Sequence, residues 1–117
     1  MTTKSALPAP IDSYLSATNN HDAATFQSAF APDAVVHDIG REIRGHAAIM
    51  KWAAEEIFAV HVTLELLSTV EHDGQTILTV KVDGTFDRTG LPDPLIMEHL
   101  ITVTEGKITS LSCRLKS

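Results

Sequence analysis

Three side chains that can hold or transfer protons fall where the sequence pattern predicts apolar, inward-facing surroundings. Tyr14 lies on the apolar face of a predicted helix, and Asp38 lies near the end of a short β-branched strand. His99 interrupts an alternating apolar run between Leu95 and Val103. Burial raises the pKa of a carboxyl group toward the range useful to a general base. The pattern therefore indicates a site for proton transfer, with Asp38 as the candidate base.

Each of these side chains also has a purely structural interpretation. Asp38 could cap a turn at a strand end, His99 could be a core histidine bonded to a backbone carbonyl, and Tyr14 could be a core aromatic residue with its hydroxyl satisfied. Alternation places His99 inward and Glu98 outward, although a register shift of one residue would exchange them. The sequence leaves these alternatives open.

The sequence gives little support for metal-dependent, nucleotide-dependent or nucleophilic chemistry. No histidine or carboxylate spacing typical of a metal site occurs, and no nucleophile elbow, P-loop or dinucleotide-binding glycine motif is present. Cys113 has neither an adjacent base nor a basic environment in the sequence. The stretch from Arg41 to Arg44 is interpreted as a solvated loop, from which one arginine could rim a pocket. We therefore expect no metal and no cofactor.

Hydrophobic periods of three to four residues in the first half of the chain predict three helices. They run from Pro10 to Asn20, from an Asp22 cap to a stop at Pro32, and from Gly45 to about Ala59, with a short strand at 34–39 before the third. Trp52 is the large anchor on the inward face of the third helix.

From Val62 onward the period changes to two, which predicts long strands joined by hairpins at Asp73-Gly74 and Glu105-Gly106. One strand face carries Val62, Leu64, Leu66, Ser68 and Val70. Helices followed by a meander of strands are typical of an α+β fold, in which helices cover one face of a curled antiparallel sheet.

Length and charge limit the classes of protein and partner. The 117 residues predict one domain, from about residue 8 to 115, preceded by a loose tail at residues 1–7. A net charge of −6 argues against nucleic acid or an anionic membrane as a partner. The lone Cys113 favours a reducing compartment, and we expect a cytoplasmic protein because no signal peptide or membrane-spanning run is recognisable.

The order of these elements and several short motifs resemble the nuclear transport factor 2-like superfamily, specifically its SnoaL-like and ketosteroid isomerase-like branches. The resemblance implies a cone-shaped, strongly curved sheet closed by the helices around a deep pocket, and a homodimer packed through the outer sheet face. Exposed apolar positions on that face, such as Leu67 and Ile77, make a dimer plausible. The motifs are Tyr14-Leu15, Asn20-His21-Asp22, residues 30–38 (FAPDAVVHD), residues 43–49 (IRGHAAI) and residues 105–108 (EGKI).

The resemblance also implies roles for the three candidate residues. In the isomerase branch a helix tyrosine and a strand acid donate hydrogen bonds to a developing enolate, while an aspartate moves the proton. Tyr14 matches the donor and Asp38 matches the base, but His99 stands in place of the acid. The cyclase branch pairs an aspartate with a histidine across an apolar pocket, which Asp38 and His99 could imitate. An epoxide hydrolase would need an inward arginine, for which only Arg114 is a candidate.

Two hypotheses follow for the function of this protein, whose expected partner in the pocket is a small apolar molecule. The first is a cofactor-independent isomerase or cyclase that moves a proton α to a carbonyl, with Asp38 as base and Tyr14 plus His99 stabilising the enolate. The second is a non-catalytic ligand-binding or dimerisation module. The predicted pocket lining is Val36, Trp52, Leu64, Val80, Val82, Phe86, Met97, Ile101 and Leu111.

Overall fold

The helices lie before residue 59 and four strands follow them from residue 63 onward, as the change in hydrophobic period predicts. The structure is a computed structural model that describes residues 7–87 and 89–116, and its class is α+β. The elements within these residues are α1 (Ala9–Asn20), α2 (Ala23–Ala29), β1 (Phe30–Asp38), β2 (Arg41–Arg44), α3 (Gly45–Ala53), a π-helical turn (Ala54–Phe58), β3 (Thr63–His72), β4 (Gln75–Asp83), β5 (Leu95–Thr104) and β6 (Lys107–Leu115).

The first helix has the ends that its sequence predicts. Pro10 lies in the first turn, where its preset φ angle suits a helix and its missing N–H costs nothing. The helix ends at Asn20, and His21 follows in the left-handed conformation with its backbone N–H bonded to the carbonyl of Ala17. This helix presents Tyr14 to the interior.

The second helix begins as predicted but ends earlier. Asp22 caps it by accepting a hydrogen bond from the backbone N–H of Thr25 at 3.2 Å. The helix stops at Ala29, and Pro32 lies inside β1 instead of ending the helix. A proline is tolerated there because the pairing of β1 with β6 is irregular between Phe30 and Val35.

Two further predictions near the site are wrong in detail. The stretch from Arg41 to Arg44 is not a loop but strand β2, which pairs with β1 through a turn at Ile39-Gly40, where both φ angles are positive. The predicted third helix is regular only to Ala53, and it continues as the π-helical turn. Such turns are often found at functional sites.

The strands form one curved, open sheet in the order β2-β1-β6-β5-β4-β3. The sheet is mixed and not entirely antiparallel, because β1 pairs in parallel with β6. Hydrophobic alternation specifies which face a residue occupies but not which strand lies beside it, so this pair could not be predicted. The hairpins at Asp73-Gly74 and Glu105-Gly106 are confirmed, with positive φ at both turn residues.

An irregularity in β3 changes which side chains face the core. Leu66 pairs with Val80, which is fully buried, but the register shifts between Leu66 and Ser68. Val70 then pairs with Ile77 on the opposite face and is 56% exposed. The prediction that Ser68 and Val70 share the inward face of Leu66 is therefore wrong, because the extra residue of the bulge reverses the alternation.

The core lies between the helices and the concave side of the sheet. Tyr14 packs there against Phe26 and Phe30, at ring-centroid distances of 5.7 and 6.1 Å. Of the predicted loose tail, residues 1–6 lie outside the described residues, whereas Leu7 packs against the core. None of the described helices is both long and apolar enough to cross a membrane.

Candidate active site

Tyr14, Asp38 and His99 line the same cavity, which has a volume of about 340 Å³. The helix α1 contributes Tyr14, the end of β1 contributes Asp38, and the middle of β5 contributes His99. This volume lies at the lower end of the range for small-molecule pockets. The remaining lining residues, mostly apolar, are Thr18, Ile39, Trp52, Glu55, Glu56, Ile57, Val60, Val62, Leu64, Val82, Phe86, Leu91, Leu95, Met97, Cys113 and Leu115.

A hydrogen bond of 2.8 Å joins the Tyr14 hydroxyl to Nδ1 of His99. Both side chains are buried, with 2% and 5% of their surface exposed. The aromatic neighbours of Tyr14 hold its ring from the helix side, while strand pairing places His99 between Leu78 and Cys113. Helix α1 and strand β5 thus meet through one buried polar contact in otherwise apolar surroundings.

Burial sets the protonation states of this pair. Desolvation lowers the pKa of His99 to about 4, against a smaller opposing effect of the Asp38 charge. Burial raises the pKa of Tyr14 well above its usual value, and it also raises that of the Cys113 thiol. At neutral pH the cavity therefore presents a neutral imidazole, a neutral phenol and a thiol that is a poor nucleophile.

Asp38 is held by partners from two other elements. Its Oδ2 atom accepts hydrogen bonds from the Trp52 indole N–H at 3.0 Å and from the Arg41 guanidinium at 2.7 Å. Arg41 also donates to both carboxylate oxygens of Glu56, at 2.8 and 2.7 Å, and holds the pKa of Glu56 below its usual value. Within the described residues Oδ1 of Asp38 has no hydrogen-bond partner, so it is the oxygen left to accept a proton.

The structure shows which of the neighbouring side chains, His99 or Glu98, faces the cavity. Glu98 points to the outer face of the sheet, where Nε of Arg114 donates to it at 2.9 Å, and His99 faces the cavity. The inward orientation predicted for His99 is confirmed. Arg114 is therefore not an inward arginine either, and the arginine that does reach the candidate base is Arg41.

The nine apolar residues expected to line the pocket fall into two groups. Five of them line the cavity: Trp52, Leu64, Val82, Phe86 and Met97. The other four were expected at the surface of the cavity but lie behind it, fully buried in the core: Val36, Val80, Ile101 and Leu111. These four residues face inward without lining the cavity, because alternation identifies the inward face of a strand, not how far along it the cavity extends.

Sequence reasoning missed several lining residues. Leu95, Cys113 and Leu115 share the alternating inward faces of β5 and β6, and that signal could have identified them. The acidic residues Glu55 and Glu56 lie three and four residues after Trp52, so the helical spacing that places Trp52 inward also indicated them.

A family comparison identifies the type of domain. The model of the SnoaL-like domain matches residues 11–111, nearly the whole chain. The chain belongs to the SnoaL-like family. Its suspected relation to the nuclear transport factor 2-like superfamily is thereby confirmed. Within the residues that the structure describes, no group of histidine, cysteine or carboxylate side chains could hold a metal ion.

Solved structures resemble this SnoaL-like chain over most of its length. A candidate polyketide cyclase from Sinorhizobium meliloti is 28% identical, with a TM-score of 0.82, covering 92% of this chain and 95% of its own. A candidate ketosteroid isomerase from Kribbella flavida is 13% identical, with a TM-score of 0.77 and coverage of 94% and 77%. A Mycobacterium tuberculosis protein, solved with estradiol-17β-hemisuccinate, is 18% identical, with a TM-score of 0.76 and 92% of each chain covered. No functionally curated protein matches the chain significantly.

Proposed function

We propose that this SnoaL-like protein binds a small, neutral, apolar carbonyl compound and moves a proton α to its carbonyl group without a cofactor. The observation that carries the proposal is the placement of Asp38 and the Tyr14–His99 pair in one apolar cavity. The similarity to the Sinorhizobium meliloti candidate cyclase supports a reaction of this class.

In this mechanism Asp38 is the base. Its Oδ1 atom takes a proton from the α carbon, the C–H electron pair forms the carbon–carbon double bond of an enolate, and the π pair of the carbonyl moves to its oxygen. The Arg41 and Trp52 hydrogen bonds to Oδ2 keep the carboxylate in place during this transfer. Asp38 then returns the proton to another carbon, so that neither an oxidant nor a reductant is needed.

The Tyr14–His99 pair stabilises the charge that develops on the enolate oxygen. Hydrogen-bond donors fixed in a low-dielectric site stabilise such a charge without having to reorganise during the reaction. Trp52, Leu64, Val82, Phe86 and Met97 would contact the apolar part of the substrate. Behind them, Val36, Val80, Ile101 and Leu111 would support this surface from the core.

The test is the conjugation of β,γ-unsaturated ketones, followed by ultraviolet absorbance. A panel of monocyclic, bicyclic and steroidal ketones would be incubated with the wild type, with Asp38→Asn and with Asp73→Asn. The last variant makes the same change in the hairpin turn, outside the cavity lining. We expect conjugation with the wild type and Asp73→Asn but not with Asp38→Asn. Equal rates for all three proteins would refute the role of Asp38.

A second candidate function is a ligand-binding module without catalysis. It is favoured by the Asp38 contacts, because a carboxylate that bridges Arg41 and Trp52 also ties β1, β2 and α3 together. In that case the panel would bind without conjugation, and Asp38→Ala would chiefly lower the free energy of unfolding.

We further propose that the protein forms a homodimer through the outer face of the sheet. Strand pairing sets Val70, Ile77 and Leu100 side by side on that face, opposite the side that carries His99. Val70 is 56% exposed and Leu67 is 47% exposed, so the face presents apolar surface to solvent. A second copy of the chain would cover it.

A further inference from the structure

The hydrogen bond between Tyr14 and His99 determines which atom of the pair can serve a ligand. The phenol hydroxyl carries one proton, and a neutral imidazole carries one proton on either Nδ1 or Nε2. Their contact of 2.8 Å therefore allows two arrangements: Tyr14 donates to Nδ1, or Nδ1–H donates to Tyr14. In the first arrangement Nε2 carries a proton and can donate to a ligand. In the second, Nε2 has a lone pair and can only accept.

Counting unpaired groups favours donation by Tyr14. If Nδ1–H donated, both the Tyr14 proton and the Nε2 lone pair would lack partners among the described residues. If Tyr14 donates, only the Nε2–H group lacks one. A phenol is also the stronger donor and an imidazole nitrogen the stronger acceptor. The buried Tyr14 proton has a partner only when Tyr14 donates, and leaving it unpaired would cost free energy, so this arrangement dominates.

The Nε2 atom of His99 faces the cavity. Every fully buried side-chain nitrogen and oxygen among residues 7–87 and 89–116 has a hydrogen-bond partner. Nε2 makes no hydrogen bond within these residues, so it is not fully buried, and the open space beside His99 is the cavity that it lines. The titratable groups that act on this imidazole are Tyr14 through the hydrogen bond and Asp38 through its charge.

We infer that Nε2–H of His99 is the group that binds the ligand, donating to a neutral oxygen acceptor, and that Tyr14 is a positioning residue acting through His99. This inference rests on the proposed function, since it assigns the ligand-binding atom of the same cavity. It changes the role that the resemblance implies for Tyr14, from direct donor to the group that holds the imidazole tautomer. A carboxylate ligand is disfavoured because Asp38 lines the same cavity.

The tautomer can be measured without any ligand. Two-bond proton–nitrogen correlation spectra of uniformly ¹⁵N-labelled protein distinguish a protonated ring nitrogen from an acceptor nitrogen. We expect His99 to be the Nε2–H tautomer in the wild type and a mixture of tautomers in Tyr14→Phe, which preserves the ring but removes the hydroxyl. An Nδ1–H tautomer in the wild type, or an unchanged spectrum in Tyr14→Phe, would overturn the inference.

Ligand affinity tests the same assignment independently. Trp52 is the chain's one tryptophan and lines the cavity, so its fluorescence reports binding of the transparent probes 2-decalone, decalin and decalin-2-carboxylate. We expect the wild type to prefer the ketone over the hydrocarbon about fivefold, the contribution of an ordinary hydrogen bond. His99→Leu should lose this preference, so that it binds the ketone no more tightly than decalin, and the wild type should bind the carboxylate more weakly than the ketone.

The outcomes separate the inference from the function on which it rests. Equal affinity of the wild type for ketone and hydrocarbon, or a carboxylate that binds as tightly as the ketone, would overturn the inference and leave a ligand pocket in place. If no probe binds although circular dichroism shows folded protein, the proposed function loses its support, and the tautomer spectrum alone decides the assignment.

Discussion

Burial of His99 makes the stability of the fold depend on pH. Its pKa is about 4 in the folded protein, below its ordinary value of 6.5, so the unfolded chain binds more protons between these values. Stability therefore falls as the pH drops from about 6.5 to about 4, and is fully present above 6.5. A difference of this size corresponds to about 3 kcal/mol.

Urea unfolding between pH 4.5 and 7.5 measures this dependence. The variant His99→Gln should be less stable at neutral pH but show a flatter dependence on pH than the wild type. The matched control is His72→Gln, because His72 lies 70% exposed at the end of a hairpin strand. If the free energy of unfolding of His99→Gln depends on pH as steeply as that of the wild type, burial of His99 does not cause the pH dependence.

The sequence predicted the candidate residues better than their contacts. Tyr14, Asp38 and His99 were recognisable as polar groups on apolar faces, and they do line one cavity. The Tyr14–His99 bond joins residues 85 positions apart, and periodicity contains no information on such a pairing. The Arg41 contact was missed because an exposed charge in a short segment is typical of a solvated loop.

At the scale of elements, strand β2 and the π-helical turn meet at Asp38 through Arg41. Replacing Arg41 with Met removes the bonds to Asp38 and Glu56 but keeps an unbranched side chain. Because Arg41 is half exposed, we expect a loss of less than about 1 kcal/mol in stability. We expect kcat for ketone isomerisation to fall about tenfold with KM little changed, since the base is no longer held in place.

The neighbouring variant Arg44→Met is the control for Arg41→Met. Arg44 lies on the same strand and pairs with Glu42, not with Asp38. In steady-state kinetics, Arg44→Met should have kcat and KM values close to those of the wild type. Equal losses in both variants would mean that the charge of β2, and not the contact with Asp38, affects the rate.

The backbone at Gly84 lies against Val60 and Phe86, two residues that line the cavity. A Cβ atom added there would lie 2.8 Å from the carbonyl oxygen of Val60 and 3.0 Å from the ring of Phe86, with φ at +154°. We expect Gly84→Ala to cost about 1–3 kcal/mol by urea unfolding and to weaken binding of 2-decalone, because Val60 and Phe86 line the cavity. Gly74→Ala, with open space around its Cβ, should leave binding unchanged.

Long alternating runs and turn signals predicted most elements. The hairpin at Asp73-Gly74 is an example, since a two-residue turn with positive φ angles favours this pair. Strand β2 was missed because four residues give too short a pattern. The parallel pairing of β1 with β6 depends on how the whole chain packs, and no local signal specifies it.

The homodimer proposed for the whole molecule would form through the outer face of the sheet. We expect the wild type to sediment as a dimer and Val70→Lys to sediment as a monomer, because a charge buried in an apolar interface cannot be desolvated without a partner. The control is Gln27→Lys, at an exposed position of α2. This variant should remain dimeric. Analytical ultracentrifugation at micromolar concentration distinguishes these states. A monomeric wild type, or a dimeric Val70→Lys, would exclude this interface.

Deuterium exchange measures whether Asp38 removes a proton α to a carbonyl. The α protons of 2-decalone in D₂O would be followed by proton nuclear magnetic resonance with the wild type, Asp38→Asn and the control Asp73→Asn. We expect exchange with the wild type and the control to exceed that with Asp38→Asn by about 10³-fold, within the usual contribution of a general base. Exchange at the same rate with Asp38→Asn, or none above buffer with the wild type, would mean that Asp38 is not a base for α protons.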